Sequence, residues 1–153
     1  MKRKIASAVL SAAIACSLSA SSFAQEAVNA SPNVTDGIFI PAEVGSSWSN
    51  TVTSDNTPAT ATSQFVVPPT YGYVKMRFYN KDSQPVTITI KHESDKEYYS
   101  KTIPGGSEDT WRSVPDYPDG VRSGTYTVQY HSAEGQVNVQ YSGFASGNKN
   151  DLN

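Results

Sequence analysis

The feature that most constrains this chain is an alternation of apolar and polar residues with a period of two. In "PVTITIKH", Val86, Ile88 and Ile90 point to one side of an extended chain, and the residues between them point to the other. A helix would scatter these apolar residues around its circumference. The pattern therefore predicts half-buried antiparallel strands, and no segment shows a helical period of similar quality.

The same pattern recurs along most of the chain, with Gly, Pro, Asn and Asp between the strands. "YGYVKMRFYN" and "QPVTITIKHES" are predicted to form one hairpin, and the two halves of "GTYTVQYHSAEGQVNVQYSG" a second one. Weaker strands are predicted near residues 47–53, 61–67, 97–103 and 109–114, with a short edge strand at 38–40. Seven to nine short strands without helices predict an all-β protein, a small antiparallel β-sandwich of immunoglobulin-like or jelly-roll-like form, in preference to a small barrel.

One segment resembles known sandwich domains. "SGTYTVQY" is similar to the Gly-Thr-Tyr-Thr-Val segments that begin late strands in many bacterial immunoglobulin-like and pre-peptidase domains. The likeness covers eight residues and follows from turn and strand chemistry, so no functional residue is inferred from it.

The N-terminus has the layout of a secretory signal peptide. Three cations at Lys2, Arg3 and Lys4 precede a short apolar run, and small residues flank Phe23 before a predicted cleavage after Ala24. A competing interpretation is lipidation of Cys16, because "AIAC" weakly resembles a bacterial lipoprotein cleavage site. The apolar run is too short to span a membrane. We therefore predict a secreted, extracellular or periplasmic protein without a transmembrane segment.

The remaining chain divides into three parts. Residues 25–36 are polar and aperiodic and predict a flexible N-terminal segment, residues 37–142 predict a single sandwich domain, and residues 143–153 predict a polar tail. Cleavage would remove three of the 12 cations and none of the 14 acids, which leaves nine cations, 14 acids and a formal charge of −5. That acidity argues against a nucleic-acid partner. Cleavage after Ala24 would also remove the one cysteine, which excludes disulfides, thiolate metal sites and a cysteine nucleophile in the remaining chain.

Aromatic residues supply the most specific functional hint. The chain carries more tyrosine and tryptophan than a small core needs, and such rings are good contact surfaces for sugars and proteins. "WRSVPDYPDG" adds two prolines, which stiffen the loop, and two acids. The predicted ligand-binding residues are the rings of this loop and of the nearby strand and the two loop acids: Trp111, Asp116, Tyr117, Asp119, Tyr98 and Tyr99. Because Tyr98 and Tyr99 are adjacent, at least one of them is expected near the surface.

Catalytic signals are weak. His92 is predicted to face inward at a strand end and His131 outward, which is not the spacing of a metal site, and there is no Gly-x-Ser-x-Gly motif. Acids cluster in three turns, which leaves a calcium site as an alternative to no cofactor and no metal. We therefore predict a non-catalytic binding module for an extracellular polymer, such as carbohydrate or cell wall, or for a protein partner. Two alternatives remain open: a small secreted hydrolase that uses loop carboxylates, and a secreted effector, toxin or inhibitor.

Overall fold

A computed structural model describes the backbone of residues 33–35, 38–40 and 44–153, and the side chains from residue 44 onward. The predicted signal peptide, Cys16 and most of the predicted flexible segment lie outside these residues. Asn33–Thr35 forms a short strand β1 that pairs antiparallel with β2, Ile38–Ile40. Residues 33–35 therefore belong to a hairpin, where the sequence predicted a flexible segment. No helix in the described residues is long and apolar enough to cross a membrane.

Eight further strands build the main domain, and each overlaps a segment whose alternation predicted a strand. They are β3 Val44–Ser54, β4 Ala59–Val67, β5 Tyr73–Asn80, β6 Val86–His92, β7 Glu97–Ile103, β8 Glu108–Arg112, β9 Gly124–Ser132 and β10 Val137–Ser146. A short 3-10 helix follows at Lys149–Leu152. The prediction of an all-β fold is confirmed.

The eight strands form two antiparallel sheets that pack face to face. The first sheet has the order β3-β10-β5-β8 and the second the order β4-β9-β6-β7. The pairs β3–β10, β4–β9, β5–β8 and β6–β7 match the first strand with the last, the second with the second last, and so on inward. This is the pairing of a long hairpin wrapped into two sheets. The sandwich is therefore jelly-roll-like, one of the two predicted forms.

Both predicted hairpins are wrong. The strands β5 and β6 lie in different sheets, and so do β9 and β10, so each turn carries the chain from one sheet to the other. The first crossing is held by Asn80, whose side-chain amide donates to the carbonyl oxygens of Gln84, Ile103 and Pro104. Turn residues show where a chain reverses, but they do not determine whether the next strand pairs with the previous one or faces it.

The core lies between the inner faces of the sheets and contains the residues that the alternation placed inward. Val86, Ile88 and Ile90 are fully buried, and so are the inward residues of β5 and β9. Aromatic rings connect the two sheets: Trp48 of β3 stacks on Phe65 of β4 at 4.7 Å between ring centroids, and Phe65 stacks on Tyr126 at 5.0 Å. The inward faces were predictable because side-chain direction follows the period of the strand.

The chain beyond residue 142, where the sequence predicted the end of the domain, forms regular structure. The strand β10 continues to Ser146, and Phe144 lies on the outer face of the first sheet. There it packs with Leu152, the last residue of the 3-10 helix, and both side chains are buried. The backbone oxygen of Leu152 accepts a hydrogen bond from Arg112 Nε at 2.7 Å. Residues predicted as a polar tail therefore cover part of the first sheet.

Candidate functional site

Three of the predicted site residues belong to the core. Trp111 and Tyr98 are each only 5% exposed, and Tyr99 is half-buried. The Tyr99 ring stacks on Phe78 at 5.8 Å and lies 5.9 Å from the Trp111 ring. The exposure that a contact role requires is therefore absent for Trp111 and Tyr98, because their rings, on the strands β8 and β7, are part of the core.

A β-bulge explains why Tyr98 and Tyr99, although adjacent, do not point to opposite faces of the strand. Ile90 pairs with Tyr99, but the next residue, Lys91, pairs with Glu97, so Tyr98 is an extra residue in the strand β7. A bulge breaks the alternation of side chains. Both rings consequently turn towards the core, where Tyr98 is buried and Tyr99 stays partly exposed.

Tyr99 also joins the two sheets along one side of the sandwich. Its hydroxyl donates to Asp109 Oδ2 at 2.7 Å, and Lys101 makes an ion pair with the same carboxylate. Burial raises the pKa of Tyr99, and the hydrogen bond to Asp109 raises it further. These contacts connect the edge strands β7 and β8, so this part of the aromatic set has a structural role.

Two of the other predicted residues, Tyr117 and Asp116, lie together at one end of the sandwich. The Tyr117 ring packs against Tyr98 at 4.7 Å between centroids, and the Lys96 ammonium lies 4.6 Å from the centre of the Tyr98 ring and 4.8 Å from that of Tyr117. Cations attract the electron-rich faces of aromatic rings. We call this group, Lys96 with Tyr98 and Tyr117, the tyrosine end. Of its two rings, Tyr117 is the one that reaches the surface.

Backbone hydrogen bonds hold the loop that presents Tyr117. Tyr117 N donates to Ser113 O at 2.7 Å, Gly120 N donates to Tyr117 O at 2.9 Å, and Val121 N donates to Gly72 O at 2.7 Å. Ser113 is itself buried, and its hydroxyl accepts from Val74 N at 3.0 Å. Backbone hydrogen bonds therefore hold the loop against the body of the protein.

Acids surround the tyrosine end. Burial raises the pKa of Tyr117, and the negative charges of Asp116 and Glu97 raise it further, with a contribution from Tyr98. Asp116 and Asp119 are both exposed. The surface here combines one accessible ring, one ammonium and several carboxylates.

His92 packs beside the tyrosine end, and its contacts indicate a structural role. It is buried, as the alternation predicted, and its ring lies 5.0 Å from Tyr126. Ser94 N donates to Nδ1 at 3.1 Å, so the proton is assigned to Nε2, which lies 3.1 Å from Ser123 O. His131 is exposed on the opposite face of its strand, as predicted.

Sequence reasoning missed a second surface, the outer face of the second sheet. Thr60, His131, Thr87 and Thr102 lie side by side across its four strands, and Thr62, Gln129, Thr89 and Ser100 form the next row. We call these eight residues the hydroxyl face. A signal was present in the sequence, because Thr-x-Thr occurs in β4 and β6 and Ser-x-Thr in β7, and alternate residues share a face.

At one end of the hydroxyl face lies a depression of about 250 Å³, lined by Pro85, Thr87, Thr102, His131, Ala133 and Glu134. Within residues 44–153, no group of three His, Cys, Asp or Glu side chains is arranged to hold a metal ion. No family model and no curated protein matches the chain. The chemistry of these two surfaces therefore carries the functional argument.

Proposed function

We propose that this protein is an exported, non-catalytic binding module whose tyrosine end contacts a partner protein. The observation that carries the proposal is the Lys96 ammonium above the Tyr98 and Tyr117 rings. This contact supports the proposal, because it sets a cation against a pair of rings with the carboxylates of Asp116 and Glu97 nearby. A Lys or Arg side chain of a partner fits the same chemistry when it takes the place of Lys96 over the rings.

The composition of the surface favours a protein over a polysaccharide here. Interfaces between proteins commonly have an aromatic centre and a charged rim, and Tyr117 with Glu97, Asp116 and Lys96 has that arrangement.

Rigidity supports the same role. The loop that carries Tyr117 is already ordered by the hydrogen bonds of Tyr117 and Gly120. Binding then needs little further ordering of the backbone, which lowers the free-energy cost of association. The export part of the proposal rests on the signal-peptide pattern, and N-terminal sequencing of the exported protein would be expected to begin at Gln25.

The binding test uses fluorescent peptides of opposite charge, one rich in Lys and Arg and one rich in Asp and Glu, with affinity measured by anisotropy. The basic peptide should bind. The variant Tyr117→Ala should weaken binding about tenfold, the effect of losing roughly 1.4 kcal/mol of contact energy. Asp116→Asn should weaken it less and reduce its salt dependence.

Tyr79→Ala is the matched control. It also replaces a tyrosine with alanine, but Tyr79 lies on the outer face of the first sheet, away from the tyrosine end. Equal thermal unfolding of both tyrosine variants must be established first. Equal affinity for the two peptides, or equal loss in Tyr117→Ala and Tyr79→Ala, would contradict the proposal. Turnover of glycosides or esters that Asp116→Asn abolishes would favour the hydrolase instead.

A further inference from the structure

We infer that the depression on the hydroxyl face is a binding site for one ring of a neutral saccharide. It lies where β6 begins and β9 ends, whereas the tyrosine end lies where β6 ends. Seven strand residues separate the two, a distance of about 20 Å. The site is therefore independent of the surface proposed for the partner protein.

The lining has the mixed chemistry that a sugar ring requires. The hydroxyls of Thr87 and Thr102 lie 2.8 Å apart and share one hydrogen bond, which leaves a further donor and free acceptor positions for a ligand. The exposed Glu134 carboxylate accepts hydrogen bonds, and a neutral His131 can donate one and accept one. A ligand that satisfies this set needs several groups that donate and accept, and each hydroxyl of a sugar does both.

Pro85 and Ala133 complete the lining with apolar surface. Sugar rings have an apolar face of C–H groups as well as their hydroxyls, so they bury both kinds of surface at once. The volume of about 250 Å³ lies below the range of drug-sized pockets, which limits the occupant to about one ring.

Charge selects against other ligands. The eight residues of the hydroxyl face include no acid, no lysine and no arginine, although the described chain as a whole is acidic. A single exposed carboxylate, Glu134, is too little for a divalent cation, which needs six or more oxygen ligands in the case of calcium. The same carboxylate repels phosphate and other anions.

The depression is held in shape by the surrounding backbone. Ser132 is buried, and its hydroxyl donates to Pro85 O and accepts from Gly135 N, both at 3.1 Å. These bonds fix the turn that carries Ala133 and Glu134 against the start of β6. Beyond the depression, the hydroxyls of Thr89 and Ser100 form a second pair at 3.2 Å, so an oligosaccharide has further hydroxyl groups along its path.

The test is a titration of the purified full-length protein, monitored through its amide chemical shifts in NMR. The titrants are neutral oligosaccharides of glucose and of N-acetylglucosamine, and an acidic oligogalacturonate. A neutral oligosaccharide should bind with a Kd up to about 10 mM, the weak range expected of a one-ring site. Shifts should centre on Thr87, Thr102 and His131. Thr102→Val and Glu134→Gln should each weaken binding about fivefold to tenfold, because the first removes a hydroxyl and the second replaces an accepting carboxylate oxygen with a donating amide group.

Thr125→Val is the matched control, since Thr125 faces outward from the same sheet at its other end. It should leave the affinity unchanged. No saturable shift with any neutral oligosaccharide, or equal affinity in Thr102→Val, Glu134→Gln and the original protein, would overturn the inference. Shifts confined to Lys96 and Tyr117 would also overturn the inference, because they would place the sugar at the tyrosine end. The peptide titration tests the proposed function separately, so the two proposals can fail independently.

Discussion

Individual buried polar residues divide into those that hold the fold and those that add nothing to it. Asn80 is fully buried, and its amide donates to three carbonyl oxygens while its own oxygen accepts from Asp82 N. Ser142 is buried as well, but its hydroxyl has no hydrogen-bond partner within the part of the chain that the structure describes. These two residues therefore have opposite effects on stability.

The first prediction follows from this difference. Asn80→Ala should lower the free energy of unfolding by about 2–4 kcal/mol, because it leaves buried carbonyl groups without a donor. Ser142→Ala should change it by less than about 0.5 kcal/mol or stabilise slightly, since it removes a buried hydroxyl that makes no bond. Urea unfolding of both variants measures this. Equal destabilisation by the two substitutions would show that the Asn80 bridge contributes little.

Elements outside the two sheets also contribute to stability, and the C-terminal 3-10 helix is the clearest case. It lies over the outer face of the first sheet, where Leu152 packs on Phe144 and Lys75 Nζ donates to Asn153 O at 3.0 Å. Burial, together with the charge of Arg112, lowers the pKa of Lys75. This part of the sheet is therefore covered, in contrast to the hydroxyl face.

The second prediction concerns this cover. Leu152→Ala should lower the free energy of unfolding by about 2–3 kcal/mol, the low end for a buried leucine, because the cluster it belongs to is small. Lys149→Ala in the same helix is the control, and with its side chain exposed it should cost less than about 0.5 kcal/mol. Thermal unfolding compares them. If the two variants unfold at the same temperature, the helix does not stabilise the sheet.

At the scale of the whole molecule, the core depends on tyrosines that stay protonated. Burial raises the pKa of Tyr126 and Tyr130 as well as that of Tyr99. For an acid whose native pKa lies above its unfolded value of 10.0, the stabilisation is complete below pH 10 and is lost as the pH rises further. The lowered pKa of Lys75 has the opposite effect, because it makes the free energy of unfolding rise with pH. This effect is confined to pH values below the ordinary lysine pKa of 10.5.

The third prediction is therefore a loss of stability above pH 10. Each tyrosine that ionises only in the unfolded chain should lower the free energy of unfolding by about 1.4 kcal/mol per pH unit. The urea midpoint measured from pH 8 to pH 11 tests this. Tyr130→Phe should make the decline shallower by one proton, whatever its effect at neutral pH. An unchanged slope would mean that Tyr130 ionises equally in both states.

The sequence by itself determined the strands, their inward faces and the class of fold. Val86, Ile88 and Ile90 could be placed in the core because the side-chain period of a strand is a local property of the chain. Tertiary structure alone decided which sheet each strand joins, so the two predicted hairpins became crossings between sheets. It also decided, through one extra residue in β7, that Tyr98 is buried, and it gathered the hydroxyl face from four separate strands. Such features depend on contacts between distant parts of the chain, which local alternation does not encode.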